Sequence, residues 1–190
     1  MIKFKHIYKS VIVIIFAITL FACEGNYNNI QKLNLKDDAP VGEGKGINMK
    51  YTDSGKVVTN LIAERFLDYR NFQFPYIEFP EGITVYYWKE GKKSTITSDY
   101  AIQFQETGIV DLRKNVVIFT SDSTTLKAEQ LYWDQENQWV FTDQPYQIIQ
   151  KDGSYNDGAH LDSNEEFTKL LSRKNEGVQL IDKKNTPNAK

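Results

Sequence analysis

Residues 109–134 read IVDLRKNVVIFTSDSTTLKAEQLYWD, and residues 139–162 read WVFTDQPYQIIQKDGSYNDGAHLD. The second stretch repeats the pattern of the first, thirty residues on and without a gap. Val110 falls on Val140, Ile118 on Ile148, Asp122 on Asp152 and Leu131 on Leu161. One copy earlier, Thr95-Ile96-Thr97-Ser98 falls on Thr125-Leu126-Lys127-Ala128. A fixed period carrying alternating apolar residues describes one strand-pair module stacked on itself, each copy burying a face that it could not bury alone.

Strand patterns continue on both sides of the repeat. Residues 48–51 and 56–69 form an opening pair turned by Asp53-Ser54-Gly55. Leu61-Ile62-Ala63-Glu64-Arg65 has helical propensity, but its β-branched and aromatic surroundings favour a strand. Residues 83–89 read as a dense strand closed by Glu90-Gly91-Lys92, followed by strands over 94–106, 109–112, 116–120, 125–134, 139–142 and 146–150. The Asp152-Gly153 turn leads into a last strand ending near Leu161, while Pro75 and Pro80 belong at edges or connections. So many short strands predict an all-β sandwich or barrel-like stack. Alternation turns Val110 and Leu112, Val116 and Ile118, Leu131 and Trp133, Trp139 and Phe141, and Tyr146 and Ile148 inward. Over residues 164–173 the period changes: Phe167, Leu170 and Leu171 stand at i, i+3 and i+4 behind Ser163 or Asn164, which predicts a short C-terminal helix.

The N-terminus sets the topology. Lys3, Lys5 and Lys9 precede an apolar run from Val11 to Ala22, about a dozen residues and shorter than the roughly 20 that a spanning helix needs. Leu20-Phe21-Ala22-Cys23 resembles a lipobox, where a signal peptide is cut before a cysteine that becomes acylated; an uncleaved signal anchor is the alternative. Both predict a chain held at a membrane through its N-terminus and folded outside the cytoplasm. Residues 1–22 are then the leader or anchor, 23–46 a polar, flexible tether, 47–177 the β-domain and 178–190 a polar tail. Cys23 is the sole cysteine, so no internal disulfide is available.

Charge and chemistry narrow the function. The net charge of −2 comes with no basic run, which leaves nucleic acid without an electrostatic footprint. Metal-ligand spacing, a phosphate loop and a nucleophile elbow are all missing, so neither cofactor nor metal is expected. His160, beside Asp157 and Asp162, fits the outer face of a last strand. The carboxylates Asp99, Asp111, Asp122, Glu129 and Asp134 fall at turns or on outward positions. A non-enzymatic protein is expected.

Further runs are more specific. They are Gly55-Lys56-Val57-Val58-Thr59 with Ala63-Glu64, and Ile96-Thr97-Ser98-Asp99-Tyr100-Ala101. They continue with Leu112-Arg113-Lys114-Asn115-Val116-Val117-Ile118 and Leu126-Lys127-Ala128-Glu129-Gln130-Leu131-Tyr132-Trp133-Asp134, and end at Asp152-Gly153. Over about residues 53–177 the chain thereby resembles the LptC family of periplasmic lipopolysaccharide-export proteins, although a lipobox departs from members held by one spanning helix. The resemblance implies an open, twisted β-jelly roll of repeated strand pairs, with acyl chains of lipopolysaccharide lying between its sheets. It also implies an inner-membrane ABC transporter as donor and a soluble periplasmic bridge protein of the same fold docked by strand addition. The residues expected to contact acyl chains are Val110, Leu112, Val116, Ile118, Leu126, Leu131, Trp133, Trp139, Phe141 and Ile148, with Cys23 as the lipidation site. Two alternatives stand beside this reading. One is an unrelated lipid-anchored β-sandwich that binds glycans or proteins through outward aromatic residues. The other is the soluble middle member of the same bridge, against which the lipobox argues.

Overall fold

The computed structural model describes residues 39–180, and within them every regular element is a strand. In order these are β1 (Gly42–Asp53), β2 (Lys56–Tyr69), β3 (Tyr76–Phe79), β4 (Ile83–Lys89), β5 (Lys92–Ser98) and β6 (Tyr100–Phe104). Then come β7 (Ile109–Phe119), β8 (Thr125–Asp134), β9 (Trp139–Ile149), β10 (Tyr155–Asn164) and β11 (Leu170–Val178). All pairings are antiparallel and join the strands into one sheet in the order β11-β10-β9-β8-β7-β5-β4-β2-β3-β6, with β1 on the other side of β2 and β6 also paired to β7.

The two long strands β2 and β7 are each shared by two layers. One end of β2 pairs with β4 through residues 59–62, and its other end pairs with β3 through 67–69. Likewise β7 pairs with β6 through residues 110–113 and with β5 through 117–119. The hairpin β4–β5 and the pair β3–β6 therefore fork apart between β2 and β7, and the sheet divides into two layers that share its long strands. This is a jelly roll with open ends: among the described residues, β1 and β11 each have a partner on one side alone.

A line of irregularities carries the division across the remaining strands. Pairing shifts occur between Arg113 and Val116 in β7, Ala128 and Tyr132 in β8, and Ala159 and Leu161 in β10. Lys114, Asn115 and His160 take left-handed φ values of 62, 50 and 60° at this line. Bulges of this kind bend a strand and sharpen its twist. Where the chain passes from β3 to β4, Gly82 has φ 79°, and a Cβ there would sit 2.2 Å from the Ser98 carbonyl oxygen. Only glycine fits that crossing.

The thirty-residue repeat is real down to its hydrogen bonds. Thr124 N–H donates to Asp122 Oδ1 at 3.1 Å, and Ser154 N–H donates to Asp152 Oδ1 at 2.8 Å. In each turn a second bond closes the loop, from Ser123 N–H to Thr120 O and from Gly153 N–H to Gln150 O, both at 3.0 Å.

The structure corrects several sequence readings. Residues 61–65 are strand, as expected, and Gly42 to Gly46, read as the end of the tether, is paired strand in β1. The expected strand over 94–106 breaks at Asp99, whose N–H donates to Lys114 O at the fork. The pieces 109–112 and 116–120, and likewise 139–142 and 146–150, are single bent strands. No C-terminal helix forms over residues 164–173. Asn164 instead closes a tight loop: its O accepts from Phe167 N–H at 3.0 Å, and its Oδ1 accepts from Lys169 N–H at 2.8 Å. Phe167 turns left-handed at φ 55°, and Leu170 and Leu171 enter β11 against Ser163 and Asp162. A side chain that bonds local backbone competes with helix, and here it wins.

Candidate functional site: an apolar groove between two layers

The inner faces of the two layers meet in one core. Val110, Leu112, Val116 and Ile118 of β7, Leu126, Leu131 and Trp133 of β8, and Ile148 of β9 are all buried in it, eight of the ten residues expected inside. They pack with Leu61, Phe79, Ile83, Val85 and Ile96 from β2 to β5. Contact across the layers is direct: the Tyr87 and Trp133 rings lie 6.3 Å apart, with Tyr87 on β4 and Trp133 on β8.

Trp139 and Phe141 are the two exceptions. Their neighbours Val140 and Thr142 are buried instead, because Val140 is paired with inward Trp133 and Phe141 with Tyr132. On the outer face the Phe141 ring stacks on Tyr132 at 5.1 Å, and Trp139 Nε1 donates to Asp162. Aromatic bulk suggested the wrong parity, whereas the repeat, which sets Val140 on inward Val110, carried the right one.

Packing is incomplete at the fork. A cavity of about 290 Å³ lies there, lined by Leu61 and Val85 from one layer and Phe79, Val110 and Trp133 from the other. At its rim Gln103 Nε2 donates to Gln135 Oε1 at 3.1 Å. Such a concave apolar space with few polar groups suits a hydrocarbon chain.

The other end of the groove is polar. Trp133 Nε1 donates to Glu165 Oε1 at 2.6 Å, and Glu165 is itself buried. Burial pushes the Glu165 carboxyl up, and the Glu166 charge adds to this, against the lowering effects of the Trp133 hydrogen bond and Lys89. Burial likewise pushes the Tyr87 phenol up to about 12. Sequence reasoning missed both Glu165 and Phe167, since both lay in the expected helix.

Elsewhere, His160, expected on the outer face of a last strand, has its Nδ1 2.7 Å from Asp143 Oδ1. Asp111, expected outward, is buried with Arg113 and Gln130 bonded to it. Among the described residues no group of acids, histidines or cysteines could hold a metal, and no helix is long and apolar enough to cross a membrane. Cys23, the leader or anchor and most of the tether lie outside the described residues.

An open, two-layered jelly roll with an apolar interior defines the class: an all-β scaffold with a concave apolar space between its layers. A family model described as "Lipopolysaccharide-assembly, LptC-related" matches residues 10–173, and the chain belongs to that family. No curated protein matches the chain. Membership implies involvement in lipopolysaccharide transport, with lipopolysaccharide and its transporter as partners and an association with the periplasm and inner membrane. The family is a transport component.

Proposed function

We propose that this chain is a membrane-tethered, periplasmic segment of the lipopolysaccharide bridge. It accepts lipopolysaccharide from the inner-membrane ABC transporter and passes it on between its two layers. The observation that carries this reading is the apolar space at the fork, lined from both layers by residues such as Leu61, Val110 and Trp133. The free edges of β1 and β11 supply docking sites at opposite ends of the strand order, the second for a soluble bridge protein of the same fold. No bond is made or broken here; the transporter's ATPase supplies the energy. Acylation of Cys23, or an uncleaved anchor in its place, fixes the chain at the membrane.

Photo-crosslinking in cells tests the reading. A crosslinking residue at Val110 or Ile118 should capture lipopolysaccharide, while one at exposed Lys127 should not. A folded protein without adducts at inward positions would refute the conduit. The outward Tyr132–Phe141 stack favours a second reading, a lipid-anchored sandwich that binds glycans or proteins. Adducts of such partners at Phe141 alone would support it.

A further inference from the structure

Residues 165–169 connect β10 to β11 and bear on three cavities, two directly and one through a hydrogen-bond partner. Glu165 and Glu166 line one of about 250 Å³ with Tyr87, and Glu166 and Phe167 line another of about 520 Å³ with Ile148 and Leu170. Trp133, the hydrogen-bond partner of Glu165, lines the third, the cavity of about 290 Å³ at the fork. Phe167 packs against the core beside them. We propose that this segment is a displaceable plug, and that an acyl chain entering the groove competes with Phe167 for its place against the core. The inference rests on the groove being a lipid path.

Three features suit the segment to move as a unit. Its ends are tied together at Asn164, whose N–H donates to Lys169 O at 3.2 Å and whose Oδ1 accepts from Lys169 N–H. The loop therefore has a fixed base on β10. Apart from the Phe167 packing, its links to the rest of the groove are few: Glu165 N–H to Gln138 O at 3.1 Å, Glu165 to Trp133, and the Lys89–Glu166 ion pair from the end of β4. The ion pair is half-exposed, where such pairs hold weakly. Finally, Phe167 sits at φ 55°, a left-handed conformation that bulky side chains rarely adopt, and Glu165 is a carboxylate taken out of water. Displacement relieves both, and a hydrocarbon chain replaces the apolar contacts that Phe167 gives up.

Titration of lipid A into the purified full chain tests this, with amide hydrogen exchange read over residues 164–170 and Trp133 fluorescence reporting occupancy. Trp88 and Trp139 are changed to Phe so that Trp133 reports alone. Lipid A should speed exchange at residues 165–169. Phe167→Ala and the milder Lys89→Gln should each bind more tightly, Lys89→Gln by about two- to fivefold. Binding with unchanged exchange and with equal affinity in both variants would overturn the plug and leave the conduit standing. Failure of every folded variant to bind lipid A would overturn both.

Discussion

Asp122 and Asp152 stand thirty residues apart and accept the same hydrogen bond, each from the backbone N–H two positions on. Burial pushes the Asp122 carboxyl up, but bonds from Thr120 and Thr124 outweigh it, and the group ends below the usual range. The Ser154 backbone N–H holds Asp152 low. Lowered carboxylates stabilise the fold above their ordinary range, and that contribution is lost as pH falls through the lowered value. Asp122→Ala should cost about 1 kcal/mol in urea unfolding at neutral pH. The gap to the native chain should close in acid; a gap that persists there would assign the loss to something other than the charge.

The same comparison marks Ser123. It takes φ 72° where the next copy has Gly153 at φ 87°. A side chain in that region is penalised and glycine is not, so Ser123→Gly should stabilise by about 1 kcal/mol. A lower urea midpoint for the variant would contradict this.

In the core, burial overrides residue size. Leu112→Ala and Leu131→Ala, both fully buried, should each cost about 2–5 kcal/mol. Phe141→Ala removes a larger side chain from the outer face and should cost less than either. Lys127→Ala, on an exposed position, should stay within about 0.5 kcal/mol. Equal losses at Phe141 and Leu131 would mean that the parity of β9 is misplaced.

How legible this fold is in the sequence depends on how local the determining physics is. Alternation and turn chemistry are local, so β4, β8 and the Asp152-Gly153 turn are readable from their residues alone. The fork is not. It arises because β2 and β7 each pair with different neighbours at their two ends, which only the assembled sheet decides. Trp139 and Phe141 follow the same logic, since their parity comes from the pairing of Val140 with Trp133. The Phe167, Leu170 and Leu171 spacing mimics a helix turn, but a single asparagine supplies enough local bonds to end the pattern. Most of the groove was therefore visible as buried residues, and the feature that leaves space in it was not.

Glu165 should make stability depend on pH above the ordinary glutamate value. Its carboxyl is raised, chiefly by burial, so the unfolded chain ionises first as pH rises from the ordinary glutamate value. Below that value both states are protonated and burial carries no charge penalty. Stability should then decline through the window up to the raised value. Glu165→Gln keeps an acceptor for the Trp133 N–H and has no charge to bury. Its stability relative to the native chain should rise across that window; parallel curves would remove the charge of Glu165 from the account.

The two free edges should capture different neighbours. Leu171 on β11 and Lys50 on β1 are both exposed, on strands that among the described residues are paired on one side only. Photo-crosslinkers there should trap distinct proteins in the cell envelope, one of them the transporter. The same partner at both positions, or none, would argue against a bridge segment docked at both edges.

The bends along β7, β8 and β10 fall inside the repeating unit, not between units. Each thirty-residue cassette thus brings its own corner along with its own strands. Duplicating one cassette would lengthen the trough by two strands, keep both layers in step and leave the terminal edges unchanged. The domain is in this sense a ruler whose length can be reset by whole units, without redesign of its cross-section.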